Sequence, residues 1–172
     1  MTAGFDVRIA RLREEELAAF AAGMPAWNAT EYARRLAAQA RGEMVQLVAW
    51  DAGRPVGKAM VLFSRHEEWS VSAEREACAE IRDVSVVEDA RRRGIGTGLI
   101  LELERAARAH GMTMIGMTVD IGHDSGPAEL VYRKLGYVRA HGPFIFSTNL
   151  HADDGTPIPV GAVMVFLTKP LG

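Results

Sequence analysis

Eight consecutive residues, Arg91-Arg92-Arg93-Gly94-Ile95-Gly96-Thr97-Gly98, separate a β-prone run at 79–87 from the most regular amphipathic stretch of the chain, 96–110. That stretch carries Leu99, Ile100, Leu103, Ala106 and Ala107 on one helical face and stops at Gly111, the residue type that most readily takes a left-handed cap. A second apolar run follows at 112–119. Strand, glycine turn, helix and strand in that order imply a local parallel crossover, and a crossover requires a sheet with helices lying on it.

The remainder of the chain reads as mostly antiparallel. Residues 7–12 form a first strand; 14–22, with an acidic start and an apolar stripe, predict a short helix; 30–41 predict a second helix capped by Thr30. The runs 46–50 and 56–63 flank Asp51-Ala52-Gly53-Arg54-Pro55, whose glycine and proline suit a hairpin turn. A short helix at 128–135, ended by Gly136, precedes two further strands at 137–149 and 162–169. The segments 66–76 and 151–161 are polar connections. The expected class is therefore α/β (α+β), with a parallel step inside a largely antiparallel sheet.

A chain of 172 residues, 48% of them hydrophobic, builds one domain rather than two, so residues 1–172 are read as a single domain. The formal net charge of -2 gives no general attraction to nucleic acid or to an anionic membrane. Cys78 stands alone, which excludes an internal disulfide and leaves no zinc-type spacing, so no metal is expected. The first residues lack the apolar run of a signal peptide, and a cytoplasmic protein is expected.

Position and composition make 91–98 an anion site. Backbone N–H groups and the positive end of the helix converge there; Gly94 and Gly96 let a ligand approach the backbone, and the arginines suit a diphosphate. The loop has neither the lysine of a P-loop nor the acidic partner of a dinucleotide fold, although a nucleotide-binding module using the same loop remains a competing reading.

The pattern Arg-x-x-Gly-x-Gly at Arg91, Gly94 and Gly96, the preceding strand around Val84-Ser85-Val86, and the later run Ala128-Glu-Leu-Val-Tyr132-Arg-Lys-Leu135-Gly136-Tyr137 together resemble the GCN5-related N-acetyltransferase (GNAT) family. The likeness is close over residues 79–138 and elsewhere rests on topology. It implies a mixed, mostly antiparallel central sheet with a parallel, splayed strand pair and flanking helices. It also implies acetyl-CoA as cosubstrate and the primary amine of a small molecule or peptide as acceptor. Backbone groups of Val84, Ser85 and Val86 would align the pantetheine arm and polarise the thioester. Amides of Arg93, Gly94, Ile95, Gly96, Thr97 and Gly98 would hold the pyrophosphate, with Arg91 and Arg92 adding charge. Where relatives commonly carry an asparagine, Asp124, Ser125 and Gly126 stand here, and Ser125 joins the cofactor set.

Glu80, eleven residues before Arg91, has a spacing that resembles that of the catalytic glutamate of histone-type relatives and in that role would accept the amine proton through water, the alternative being an ordinary exposed strand glutamate. Shielding by the 66–76 loop would raise its pKa toward that task. Asp83 is the next candidate, although strand alternation assigns it to the opposite sheet face. Tyr132 occupies the place of the tyrosine that protonates the departing thiolate in many relatives. Glu67, Glu68, Glu74, Glu76, Asp153 and Asp154 would attract a cationic amine or simply solvate the surface. A non-catalytic acyl-CoA-binding domain is the alternative, and a homodimer through a sheet edge or the last hairpin is left open.

Overall fold

The elements follow one another as the hydrophobic periods require. In the computed structural model, which describes residues 7–24, 29–63, 78–122, 126–151 and 157–172, the order is β1 (Val7–Arg11), a 3-10 turn (Glu14–Glu16), α1 (Leu17–Gly23), α2 (Ala29–Ala40), β2 (Met44–Asp51), β3 (Arg54–Leu62), β4 (Cys78–Val86), a second 3-10 turn (Glu88–Ala90), α3 (Ile95–Ala109), β5 (Met114–Asp120), α4 (Gly126–Lys134), β6 (Val138–His151) and β7 (Pro157–Pro170). The strands form one seven-stranded sheet in the order β1-β2-β3-β4-β5-β7-β6, mostly antiparallel, with β4 and β5 as the parallel pair. Three expected boundaries differ, the largest at β7, which begins at Pro157, five residues before the expected 162 and inside the stretch read as a polar connection. The acidic stretch Glu14–Glu16 winds as a 3-10 turn before α1, and Thr30 lies inside the first turn of α2 rather than capping it.

The chain divides into two compact units. In the first, covering residues 1–115 and 171–172, β2 is buried along nearly its whole length because both of its faces are covered. Val48 and Trp50 pack with Leu12, Phe20, Met24 and Tyr32, which come from the segment leading to α1, from α1 itself and from α2. Met44 packs with Met60, Leu62 and Ala38 further along the same face. On the opposite face α3 buries Leu99, Ile100, Leu103 and Ala107. It packs closely over Gly57, where an added Cβ would lie 3.1 Å from Ile95 and 3.2 Å from Leu99, so a larger residue would press on these side chains. Trp50 alone buries enough apolar area to be worth about 2–3 kcal/mol of transfer free energy.

The β2–β3 hairpin closes on Ala52 and Gly53, at φ 48° and 84°, with Asp51 opposite Arg54. Two successive positive φ values match the twist of the flanking strands. Between β3 and β4 the register slips. Leu62, Val61 and Met60 face Glu80, Ile81 and Arg82, whereas Lys58 and Gly57 face Ser85 and Val86. Asp83 and Val84 therefore share the single opposing residue Ala59, a β-bulge, with Asp83 at φ 58°.

The second unit spans residues 116–170. Here β6 and β7 pair antiparallel from Val138 opposite Thr168 to His151 opposite Pro157. Gly116 admits the ring of Phe166, whose Cζ would lie 2.5 Å from an added Cβ. In α4, Glu129 accepts hydrogen bonds from Arg133 and from Arg139 of β6. No described helix is long and apolar enough to cross a membrane.

One ion pair links β1 to the turn before α1. Glu16, its side chain only 11% exposed, accepts from Arg8 and Arg13 at 2.8 Å each. The Arg13 hydrogen bond is the main cause that lowers its pKa from 4.5 to about 2. A carboxylate depressed on folding stabilises above its unfolded pKa, and that contribution fades as pH falls toward the folded value. Glu16→Gln is expected to cost about 1 kcal/mol at pH 7 in urea unfolding. The gap from the parent should shrink below pH 4.5 and vanish near pH 2; a pH-independent gap would mean that the pair does not carry the effect.

Candidate active site

The anion loop is shaped by two left-handed residues. Arg92 lies at φ 61°, and Gly94 at φ 79°, ψ 2° stands immediately before the first helical residue, Ile95. The amide of Gly98 bonds to the Gly94 carbonyl at 2.9 Å and closes the first turn. The amides of Ile95, Gly96 and Thr97 come before the first carbonyl the helix can offer them, so they point outward as donors. An added Cβ at Gly94 meets nothing within 4 Å, and one at Gly96 meets only Val86 at 3.8 Å. The loop thus presents backbone to open space, a fit for a diphosphate.

The three arginines differ in use. Arg93 donates to Asp51 at 2.9 Å and fastens the loop to the β2–β3 hairpin. Arg91 donates through Nε to the carbonyl of Val86 at 3.1 Å, bracing the end of β4. Arg92 is exposed. The positive side chains at the loop mouth are therefore Arg91 and Arg92, while Arg93 contributes its amide.

The bulge reorganises β4. Before it, Glu80 and Arg82 lie on the face covered by α2; after it, Ser85 takes that face and Val86 turns toward the start of α3. Asp83 does not point away from Glu80, as simple alternation predicts. The extra residue returns its carboxylate to the α2 face, where Oδ2 lies 2.9 Å from Nη1 of Arg35 and 3.1 Å from Nζ of Lys58. Arg35 also donates to Gln46 at 3.2 Å and to Glu31 at 3.1 Å. Lys58 is 1% exposed, and its Nζ makes no hydrogen bond of good geometry among the described residues, although it sits at ion-pair distance from Asp83. Two buried cations sharing one carboxylate form the polar heart of this face. Sequence reasoning missed Arg35, Gln46 and Lys58. The signal was present, since Gln46 and Lys58 each interrupt an otherwise apolar strand.

Glu80 has a side chain 23% exposed and is paired with Arg82 at 3.0 Å. The loop expected to shield it, residues 66–76, lies outside the described residues, as do Asp153, Asp154 and Ser125. Beside Arg82 a cavity of about 460 Å³ opens between α2 and strands β2 to β4. Its floor is Ala38, Met44, Met60 and Leu62; its walls are Arg34, Arg35, Arg41 and Arg82 with Glu31 and Glu43. The Arg34 hydrogen bond, opposed by burial and aided by Arg35, holds Glu31 below the usual carboxylate range.

Tyr132, in the second unit, is half-buried on α4 with its ring edge-on to Tyr137, centroids 6.2 Å apart. Burial pushes its phenol upward, so the hydroxyl keeps its proton past the ordinary tyrosine range.

Comparison with known proteins agrees with this architecture. The sequence model of the Acetyltransferase (GNAT) family matches residues 9–137. No curated protein matches significantly in sequence. Among solved structures, an N-acetyltransferase from Staphylococcus aureus Mu50 aligns with TM-score 0.72 at 17% identity, covering 97% of this chain and 99% of its own. A ribosomal-protein-alanine N-acetyltransferase from Brucella melitensis aligns at 0.69 and 20% identity, over 95% and 99%. A phosphinothricin acetyltransferase from Sinorhizobium meliloti in complex with AcCoA aligns at 0.68 and 19%, over 96% and 89%. These likenesses establish the shared fold.

Two stability measurements probe the site. Gly94→Ala should lose about 1–2 kcal/mol through left-handed strain, whereas Gly96→Ala, at a right-handed helical position, should hold or gain up to about 1 kcal/mol. Equal losses at both positions would contradict the loop geometry. Asp83→Ala, by removing the carboxylate that buried Lys58 and Arg35 share, should cost about 3 kcal/mol in urea unfolding. A loss under about 1 kcal/mol would show that the bulge does not depend on that ion cluster.

Proposed function

Because the chain belongs to the Acetyltransferase (GNAT) family, whose members are acyl-transfer enzymes, we propose that it moves an acetyl group from acetyl-CoA to the primary amine of a small molecule or peptide by direct attack, as a single domain over residues 1–172. The observation that carries this reading is the loop at Gly94. Three outward amides and a left-handed glycine with open space before it stand at the head of a 15-residue helix, one 3-10 turn and the arginine loop after a bulged strand. The cosubstrate supplies an activated thioester when bound. Amides of Arg93 to Gly98, with Arg91 and Arg92, would hold its pyrophosphate, and the backbone of Val84, Ser85 and Val86 would align its arm. Ser125 completes this cofactor set as proposed from the sequence.

The remaining chemistry is proton management. Glu80 would take the proton released by the attacking amine, directly or through water, and Tyr132 would give one to the departing thiolate. Tyr132, its phenol pushed up by burial, holds the proton that this task requires at neutral pH. The carboxylate of Asp83 is already engaged by two buried cations, Arg35 and Lys58, which leaves the role to Glu80. A cytoplasmic setting agrees with this cosubstrate. The ion pair between Glu80 and Arg82 supports a second reading, a non-catalytic acyl-CoA-binding domain in which Glu80 is structural.

The test is thiol release from acetyl-CoA by the purified protein with a panel of free amino acids, peptides, polyamines and aminoglycosides. Release dependent on one amine class is expected. Tyr132→Phe should cut kcat about 10–100-fold with little change in thermal midpoint, and the parent should show no alkaline fall from this group below about pH 10. Stabilisation by acetyl-CoA without release for any amine would favour the binding-domain reading. No stabilisation would overturn the cofactor assignment.

A further inference from the structure

The cavity over the α2 face is asymmetric in charge and has an apolar floor, and both properties select a ligand. Four arginines and two glutamates line its walls. The carboxylates at and behind those walls are already engaged: Glu31 by Arg34 and Arg35, Glu43 by Arg41, Glu80 by Arg82 and Asp83 by Arg35 and Lys58. Counting Lys58, five cations face four carboxylates, and the fifth cation is buried without a well-formed hydrogen bond among the described residues. A polyamine entering here would find each of these carboxylates already paired with a cation and would add to the positive excess. An anion would find guanidinium edges: Arg82, with a side chain 28% exposed, commits one Nη to Glu80 among the described residues. Below those edges Met44, Met60 and Leu62 offer a flexible apolar surface. The volume, about 460 Å³, is that of a small-molecule site.

We propose that this cavity binds the acceptor, and that the acceptor is an amine carrying a carboxylate and an apolar body, of the apolar α-amino acid class, with the carboxylate on Arg82 and the apolar group on the Met44, Met60 and Leu62 floor. This inference rests on the acetyl-transfer reading only for the word acceptor, because binding can be measured without turnover. A cationic acceptor, the alternative suggested by the acidic loops, is disfavoured at this cavity.

The experiment uses the full chain with methyl-labelled methionines. Met44 and Met60 report from the cavity floor while L-leucine, L-phenylalanine, L-leucinamide and spermidine are titrated in turn. The acids should shift both methyls; leucinamide, which lacks the carboxylate, should bind at least about 10-fold more weakly, and spermidine should leave them unmoved. Arg82→Gln should weaken the acids about 5- to 10-fold without changing the amide, and Arg82→Lys should recover part of the loss. Equal binding of acid and amide, shifts caused by spermidine, or silence with both acids would each overturn the proposal. A thermal shift with acetyl-CoA is recorded in parallel. Stabilisation with silent methyls sinks this inference and leaves acetyl transfer standing; shifting methyls without stabilisation does the reverse.

Discussion

The first unit is organised around one carboxylate. Asp83 stands at the bulge of β4 with a positive φ, and its Oδ2 holds Arg35 of α2 and Lys58 of β3 at 2.9 and 3.1 Å. A left-handed aspartate costs about 1 kcal/mol or more, which an isolated strand would avoid by straightening. Straightening would carry Asp83 to the other face and take its carboxylate from buried Lys58 and from Arg35, a larger penalty of several kcal/mol even with Arg35 still paired to Glu31. The ion cluster thus keeps the bulge, and the bulge keeps β4 out of simple register with β3.

That slip has a structural consequence along β4. Because side chains alternate, one additional residue inverts which positions look to each face. Arg82 lines the α2 cavity and Glu80 shares its face, whereas four residues after Arg82 the strand presents Val86 to the first turn of α3. On the proposed reading, a single strand serves the acceptor with its first half and the cofactor loop with its second. The loop itself is held independently: Arg93 reaches back to Asp51 at the hairpin, and Arg91 braces the Val86 carbonyl. The donors at Ile95, Gly96 and Thr97 are therefore positioned before any ligand arrives, which lowers the ordering cost of binding.

Legibility in the sequence followed the kind of rule each feature obeys. Helix α3 and its loop were readable because periodicity and glycine punctuation are local properties, and the parallel pair of β4 and β5 followed from the crossover. The β2–β3 hairpin was readable from Asp51 to Pro55 for the same reason. The bulge was not, since alternation assumes one residue per step and the cause of the extra residue lies in Arg35, 48 positions away from Asp83. The face assigned to Asp83 failed on that account. Gln46 and Lys58 were visible as polar interruptions of apolar strands, but only the fold reveals that they meet the same buried network. Thr30 looked like a cap by residue type, whereas α2 begins one residue earlier.

The buried cluster also bears on why the cavity is built from arginines rather than from apolar residues throughout. Replacing Arg35, Lys58 and Asp83 by hydrophobic residues of similar volume could hold α2 to the sheet equally well, since buried ion pairs seldom exceed well-packed apolar contacts in net stability. What such a core could not supply is a fixed bend in β4 together with a positive wall beside it. Arg35 performs both parts: it anchors Asp83 behind the wall and lines the cavity in front. The arrangement couples the geometry of the strand to the charge of the pocket. A substitution that relaxed one would disturb the other, so strand shape and ligand charge are set by the same few side chains.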